Sequence, residues 1–208
     1  MLKYTVSITK QQLSELPTVM FDGRINVVER FDQAVEALEY LSMQEIVGFD
    51  TETRPSFRKG QTNKVALMQI STAERCFLFR LNKLGFIEPL KQFIENPKIT
   101  KIGLSLKDDF FVLNKLTKFE PKGFVELQQL VKSYDITDSS LQKIYGIIFG
   151  GRISKSQRLS NWEAPELSPF QQSYAAIDAW ACLEIYRYLS SGEFSPEESP
   201  YLVTNPEA

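Results

Sequence analysis

Histidine is absent from this chain of 208 residues, and cysteine occurs only twice. The first absence excludes Ser-His-Asp triads, Cys-His pairs, zinc sites built on histidine and histidine general bases. Cys76 and Cys182 are too few for a disulfide framework, so we expect two reduced thiols in the core. Any catalysis must therefore use the side chains that are abundant here: carboxylates, tyrosine, lysine and arginine.

Long apolar runs and an excess of positive charge are also missing. No stretch approaches the roughly 20 apolar residues that span a bilayer, and the N-terminal sequence has no apolar signal region. We therefore expect a cytoplasmic protein without a membrane partner. A formal charge of −2 argues against a broad basic surface for duplex DNA. It does not argue against an enzyme that grips a few nucleotides and lets bound metal ions supply positive charge.

The order of apolar and polar residues predicts a single α/β domain over residues 21–190. An N-terminal extension, 1–20, precedes it, and a tail rich in proline and glutamate, 191–208, is expected to be flexible. Strands are predicted at 25–28, 46–52, 65–70, 76–79 and 99–106, of which the second to fourth form an antiparallel meander. Helices are predicted at 32–41, 86–95, 107–116, 125–134, 140–149 and 169–189.

Two acids stand two positions apart on the second predicted strand. Asp50 and Glu52 project from the same face of that strand. Such a pair of acids usually lies on the solvent-exposed face of a strand. Here the apolar residues Ile46, Val47 and Phe49 indicate a central strand, and central strands seldom carry two unpaired acids.

Asp108 and Asp109 lie where a second apolar strand passes into a helix. Acids in a first helical turn are also favoured by the helix dipole alone, so this position has a purely structural explanation as well. On the last helix, Tyr174 and Asp178 are four residues apart and are neighbours on the helix surface. For Tyr174 taken alone, core packing with its hydroxyl hydrogen-bonded is the better explanation.

Together, these acidic sites on separate core elements predict a metal centre. Two carboxylates about 4 Å apart repel by roughly 4 kcal/mol at an effective dielectric constant near 20, so a cluster requires cations or protons. Oxygen ligands select hard cations such as Mg²⁺ or Mn²⁺. Two such ions about 3.5–4 Å apart can activate water and stabilise the leaving oxygen in phosphodiester cleavage.

The segments FDTET, IGLSLKDDFFVL and YAAIDAW, with VALMQIS, FVELQQLVK and LSNWE between them, resemble a known family. This family is the tyrosine branch of the DEDD 3′–5′ exonucleases, which includes ribonuclease D and the exonuclease domain of the Werner syndrome helicase. The resemblance covers about residues 24 to 190. It implies a ribonuclease H-like α/β fold, with a mixed central sheet flanked by helices.

The same resemblance implies the roles of individual residues. Two divalent ions, Mg²⁺ or Mn²⁺, would be bound by Asp50, Glu52, Asp109 and Asp178. Tyr174 would orient the attacking water and assist its deprotonation. Asp108 stays open as an alternative to Asp109, although the spacing from Gly103 and to Leu113 favours Asp109.

Substrate contacts are expected around these motifs. By resemblance, Thr51 and Met68 would lie near the terminal nucleotide and Phe111 would pack against a base, with core packing as the alternative for the last two. Basic residues that could hold backbone phosphates, or simply belong to solvated loops, are Arg54, Arg58, Lys59, Lys64, Arg152, Lys155 and Arg158.

The resemblance thus implies an enzyme that removes nucleotides from the 3′ end of DNA, RNA or both and releases nucleoside 5′-monophosphates. Two alternatives remain open at this point. One is a non-catalytic nucleic-acid-binding or scaffold domain on the same fold, and the other is a hydrolase of very short oligonucleotides. The sequence does not choose between DNA and RNA.

Overall fold

The computed structural model describes residues 4–56 and 63–204. Its strands are β1 (Tyr4–Val6), β2 (Arg24–Val28), β3 (Ile46–Thr53), β4 (Val65–Ser71), β5 (Arg75–Arg80), β6 (Thr100–Gly103), β7 (Phe124–Glu126) and β8 (Leu202–Thr204). Its α-helices are α1 (Lys10–Glu15), α2 (Phe31–Ser42), α3 (Leu81–Leu84), α4 (Glu88–Glu95), α5 (Leu106–Leu113), α6 (Leu127–Leu130), α7 (Leu141–Phe149) and α8 (Pro169–Ser191). Short 3₁₀ helices span Val131–Tyr134 and Pro196–Glu198.

A six-stranded mixed sheet forms the centre of the fold, in the order β2–β5–β4–β3–β6–β7. β3, β4 and β5 are successive antiparallel neighbours, which confirms the predicted meander. The pairs β2–β5, β3–β6 and β6–β7 are parallel. Helices cover both faces, so the expected α/β architecture is confirmed, and β3 lies in the interior of the sheet.

Each face of the sheet has its own hydrophobic core. Apolar side chains of α8 and α7 pack on one face together with those of the N-terminal segment. Those of α2, α4 and α5 pack on the other face. On the first face, β3 and α8 approach so closely that a Cβ added to Gly48 would lie 1.9 Å from the carbonyl oxygen of Ala179. The backbones therefore touch at this point, with no side chain between them.

The beginning of α8 follows the sequence signals. The Ser168 side chain accepts a hydrogen bond from the backbone N–H of Gln171, whose own side chain bonds back to Ser168, and Pro169 stands in the first turn. The helix predicted at 32–41 begins at Phe31 in α2. Its N-cap residue is Arg30, and Asp32 lies in the first turn with its carboxylate 2.9 Å from the Arg30 guanidinium.

Two predicted boundaries were wrong around β6 and β7. The strand predicted at 99–106 ends at Gly103, because Ser105 adopts a left-handed conformation (φ 64°). The helix α5 begins directly afterwards. There the Glu126 carboxylate accepts hydrogen bonds from the backbone N–H groups of Ser105 and Leu106. The helix predicted at 125–134 is divided between β7, α6 and a 3₁₀ helix. A strand of three residues is too short to show its alternation in a sequence.

The terminal segments differ from the expected extension and flexible tail. β1 pairs with β8 in an antiparallel two-stranded sheet, with Tyr4 opposite Thr204. Val6 and Ile8 are fully buried, and they belong to the core that α8 covers. Residues 4–15 and 196–204 thus contain regular elements that pack on the central domain.

Cys76 and Cys182 are both buried and unpaired, as expected for core thiols. Within residues 4–56 and 63–204, no helix combines the length and the apolar character that crossing a bilayer requires.

The contact at Gly48 makes a prediction for stability. We expect Gly48→Ala to lower the free energy of unfolding by at least about 3 kcal/mol, because the added methyl group would overlap a backbone carbonyl rather than a flexible side chain. Urea denaturation would measure the change.

Gly150→Ala is the matched control. Gly150 adopts a left-handed conformation (φ 64°), and an added Cβ meets no atom of the described residues within 4 Å, so the cost should be only the backbone strain of about 1 kcal/mol. Equal losses in the two variants would contradict a β3–α8 contact of this closeness.

Candidate active site

The acids of β3 point toward α8. Side chains alternate along a strand, so Asp50 and Glu52 share a face with Gly48, whose added Cβ would meet the Ala179 carbonyl of α8. Both residues are partly exposed, although their carboxyl groups are largely buried. The β3–β4 register shifts after Glu52, near the end of the strand. The two acids therefore lie where the sheet opens toward solvent.

α8 brings Tyr174 and Asp178 to the same place. Carboxylate oxygens of Asp50, Glu52 and Asp178 lie within 4.8 Å of one another. The Tyr174 hydroxyl lies near the Asp178 carboxylate and lowers the pKa of that carboxyl group. Clustered oxygen ligands on a rigid strand and helix fit a hard divalent cation, so the donor set is suited to Mg²⁺ or Mn²⁺.

Asp109 on α5 lies next to the cluster of Asp50, Glu52 and Asp178, although it is not one of the three acids within 4.8 Å of one another. Asp109 is 7% exposed, and its Oδ1 accepts a short hydrogen bond from the Thr51 hydroxyl. Asp108 is exposed to solvent. Asp109 also interacts electrostatically with Asp50. The geometry therefore agrees with the register that favours Asp109 over Asp108.

Burial and mutual repulsion raise the pKa values of these acids. Burial, followed by the charge of Asp178, holds the pKa of Asp50 well above its usual range, and burial and the charge of Asp50 do the same for Asp109. Burial and the charges of Asp50, Asp178 and Asp109 raise the pKa of Glu52 to about 10. Burial raises the pKa of Asp178 to about 7, although the Tyr174 hydroxyl and Lys155 lower it. Without cations the site retains protons.

Basic side chains from residues 152–168, between α7 and α8, lie near the acids. The charge of Lys155 lowers the pKa of Asp178, and the charge of Arg158 lowers that of Glu52. Both basic side chains are exposed. A cavity of about 160 Å³ reaches Asp50, Tyr174 and Asp178 and is bordered by Lys155. Positive charge therefore faces the solvent side of the cluster.

The same segment supports the tyrosine. Trp162 is fully buried, and its ring centroid lies 6.0 Å from that of Tyr174. Next to it, the Glu163 carboxylate lies 3.2 Å from the Arg54 guanidinium, and the Ala164 carbonyl accepts a hydrogen bond from buried Arg80. These contacts attach the segment to the ends of β3 and β5.

The substrate contacts expected from resemblance fall into different environments. Met68 is fully buried in the core on the opposite face of the sheet, so the packing alternative describes it correctly. Phe111 is 62% exposed, with the Lys115 ammonium 4.2 Å from its ring centroid. Thr51 is partly exposed beside the acids. Phe111 and Thr51 are thus open to a ligand, whereas Met68 is not.

The remaining basic residues are dispersed. Arg54 pairs with Glu163, and Arg152 donates a hydrogen bond to the Thr18 hydroxyl at 3.1 Å, away from the acids. Lys64 is exposed. Arg58 and Lys59 lie outside the described residues.

Three buried residues near the site have no role in the sequence-based expectations: Gln69, Arg80 and Trp162. Gln69 is the one amide in the apolar run VALMQIS, and in the structure it lies directly opposite Asp50. That isolated polar residue in an apolar strand was the available signal. Trp162 belongs to the segment LSNWE and is fully buried within residues 152–168, and Arg80 is fully buried against the same segment.

Comparison with known proteins places these residues in context. A family model described as a 3′–5′ exonuclease matches residues 25–192. The chain is 31% identical over 186 residues to the bifunctional 3′–5′ exonuclease/ATP-dependent helicase WRN of Mus musculus, covering 85% of this chain and 13% of that protein. It is 29% identical over 207 residues to a 3′–5′ exonuclease of Arabidopsis thaliana, covering 88% of this chain and 69% of that protein.

The fold also matches solved structures. The EXO domain of Nibbler from Aedes aegypti superposes with a TM-score of 0.71 at 21% identity, and the match covers 93% of this chain and 96% of that domain. This likeness shows that the sheet and helices have the arrangement of a ribonuclease H-like exonuclease domain.

The raised pKa values make a prediction for the metal-free protein. Carboxyl groups whose folded pKa exceeds the unfolded value hold protons that unfolding releases, so stability falls as pH rises from about 4 toward the folded values near 7 and 10. We expect the free energy of unfolding in EDTA to be lower at pH 8.5 than at pH 5.5. Chemical denaturation at both pH values would measure it.

Asp50→Asn should reduce this pH dependence, because Asp50 contributes repulsion to both Glu52 and Asp109. At pH 8.5 this variant should be more stable than the wild-type protein, because it removes a buried carboxyl group and the repulsion that raises the pKa values of its neighbours. Asp108→Asn is the control and should change the slope much less, because the charge of Asp108 is the smallest of the causes that raise the pKa of Asp109. A wild-type protein that gains stability between these pH values would contradict the assigned repulsion.

Proposed function

Because the chain belongs to the 3′–5′ exonuclease family, we propose that it hydrolyses phosphodiester bonds one nucleotide at a time from the 3′ end of DNA or RNA. Water attacks the phosphorus, the bond to O3′ breaks, and a nucleoside 5′-monophosphate is released. One observation carries the proposal: three carboxylates from β3 and α8 converge within 4.8 Å, and a fourth from α5 lies beside them.

The acids divide naturally into two cation sites in this proposal. Asp50, Glu52 and Asp178 would hold one divalent ion, and Asp50 with Asp109 would hold a second. When bound, two such ions would lower the pKa of the attacking water and stabilise the leaving oxygen. The Thr51 hydroxyl binds one oxygen of Asp109 and leaves the other for a cation.

Tyr174 would orient the attacking water. Burial, followed by the charges of Asp178, Glu52 and Asp50, raises the pKa of Tyr174 above its ordinary value, so its hydroxyl remains protonated. A neutral hydroxyl can donate and accept hydrogen bonds but cannot act as a phenolate base. Its help in deprotonating the water is therefore limited to positioning it, while Trp162 restricts the movement of the ring.

Exposed cationic and aromatic groups would hold the strand. Lys155 and Arg158 are close enough to affect the pKa values of the site acids, so a phosphate held by the acids' cations would also lie near them. Phe111 on α5 is 62% exposed, and the ring face that Lys115 does not cover would be available for base stacking. These contacts involve phosphates and base faces, which DNA and RNA share.

The first experiment supplies 5′-labelled single-stranded DNA, single-stranded RNA and recessed duplex with Mg²⁺, Mn²⁺ or EDTA. We expect a metal-dependent ladder that shortens from the 3′ end. Asp50→Ala and Asp109→Asn should each reduce the rate by at least about 10³-fold, since the acids act together on the cations.

Asp108→Asn is the matched control for Asp109→Asn, because the two adjacent residues undergo the same chemical change and only Asp109 faces the cluster. Retention of activity in Asp109→Asn and loss in Asp108→Asn would overturn the site assignment. Binding without degradation of any substrate would favour the scaffold alternative, and degradation of only the shortest substrates would favour the oligonucleotide alternative.

Tyr174→Phe tests the orienting role, because it removes only the hydroxyl. We expect kcat to fall roughly 10²-fold with little change in KM, since the interaction matters in the transition state rather than in binding. Tyr188→Phe, near the other end of α8, is the matched control and should be as active as wild type. Steady-state kinetics with a labelled oligonucleotide would separate the two parameters, and equal kcat values for the two variants would exclude the role.

A further inference from the structure

Gln69 is a fully buried polar side chain whose hydrogen-bonding capacity is unused. It is 0% exposed, and neither the oxygen nor the nitrogen of its amide has a partner among the described residues. Buried amides are nearly always hydrogen-bonded, because leaving one unpaired is costly. The residue therefore needs an explanation other than packing, which leucine or methionine would provide without that cost.

The position of Gln69 in the sheet identifies its polar neighbour. Gln69 on β4 is paired with Asp50 on β3 and with Leu78 on β5. Residues directly opposite in an antiparallel pair point to the same face, with their Cβ atoms about 4.5–5.5 Å apart. Leu78 has no polar side-chain atom. In its own row of the sheet, the Gln69 amide thus meets a carboxylate on one side and a hydrocarbon on the other.

The chemistry of the pair selects one interaction. A carboxylate only accepts hydrogen bonds, so the Gln69 side-chain N–H is the group that Asp50 can satisfy. The terminal torsion of glutamine is broad, and rotation about it can direct the N–H toward the neighbouring strand. One oxygen of Asp50 could then be held by the amide while the other faces the remaining acids.

A neutral donor suits this place better than a cation would. Lysine or arginine opposite Asp50 would compensate the negative charge that attracts a divalent ion. An amide fixes the orientation of the carboxylate and leaves its charge intact. Groups that orient metal ligands in this way commonly have a large effect on metal affinity.

We propose that Gln69 is a positioning residue for the metal centre, in which its side-chain amide donates a hydrogen bond to Asp50 and orients that carboxylate toward the bound cations. The proposal rests on the function proposed above, because it assigns Asp50 as a metal ligand. It extends the site into β4, to which no catalytic or metal-binding role is otherwise assigned.

Gln69→Met tests the role, since methionine has a similar length and no amide. In EDTA the variant should melt at the same temperature as wild type or higher, because two unpaired polar atoms are removed. Its dissociation constant for Mn²⁺, measured by titration calorimetry and by the shift in melting temperature, should rise roughly 10- to 100-fold. At saturating Mn²⁺ the KM for an oligonucleotide should stay at the wild-type value.

Ser71→Ala is the matched control, because Ser71 is buried on the same face of β4 but lies opposite Gly48 rather than an acid. Its Mn²⁺ affinity should equal that of wild type. A double-mutant cycle then asks whether Gln69 acts through Asp50. In the Asp50→Asn background, Gln69→Met should cause no further loss of Mn²⁺ affinity.

Two results would overturn the proposal: a Gln69→Met protein that binds Mn²⁺ as tightly as wild type, or equal losses from Gln69→Met in the wild-type and Asp50→Asn backgrounds. Because the experiment measures metal binding, its result does not depend on whether the protein degrades nucleic acid. A wild-type protein that binds Mn²⁺ at Asp50 but degrades no nucleic acid would reject the exonuclease and leave the role of Gln69 to be decided by the cycle.

Discussion

Asp50, Glu52 and Asp178 hold carboxylate oxygens within 4.8 Å of one another in a region of restricted water access, where like charges repel strongly. A flexible chain would separate them. The fold prevents this by placing two acids on an interior strand and the third on a helix of 23 residues whose backbone contacts that strand at Gly48. The stability of the sheet and the helix thus offsets the repulsion between the three carboxylates. Bound cations or protons must neutralise the remaining negative charge.

Further side chains surround the three clustered carboxylates and hold the neighbouring groups in place. Thr51 binds Asp109, Trp162 packs on Tyr174, and Arg80 secures the segment that carries Lys155 and Arg158. Each of these side chains limits the movement of a group that faces the substrate side. The acids are therefore held by buried contacts, whereas Lys155 and Arg158 are exposed to solvent.

Much of the fold and most of the site could be predicted from the sequence, for identifiable reasons. The meander and α8 have long, regular patterns, and the acids lie in motifs whose order resembles one family. β7 could not be predicted, because three residues show no period, and neither could the pairing of β1 with β8, which joins residues distant in sequence. The burial of Met68 and the position of Gln69 depend on which face of β4 meets which helix, and an apolar run does not reveal this.

The pairing of Tyr4 with Thr204 also determines how the domain responds to tension. If force is applied at these two residues, it acts across an antiparallel pair at its outer rung, and the hydrogen bonds of β1 and β8 separate one after another rather than all at once. Val6 also exchanges backbone hydrogen bonds with Asp135 and Thr137, so the load would reach the central domain through this residue once the outer pairs have opened. The two-stranded sheet would therefore open before the six-stranded sheet, so that moderate pulling would leave the six-stranded sheet and its acidic residues intact.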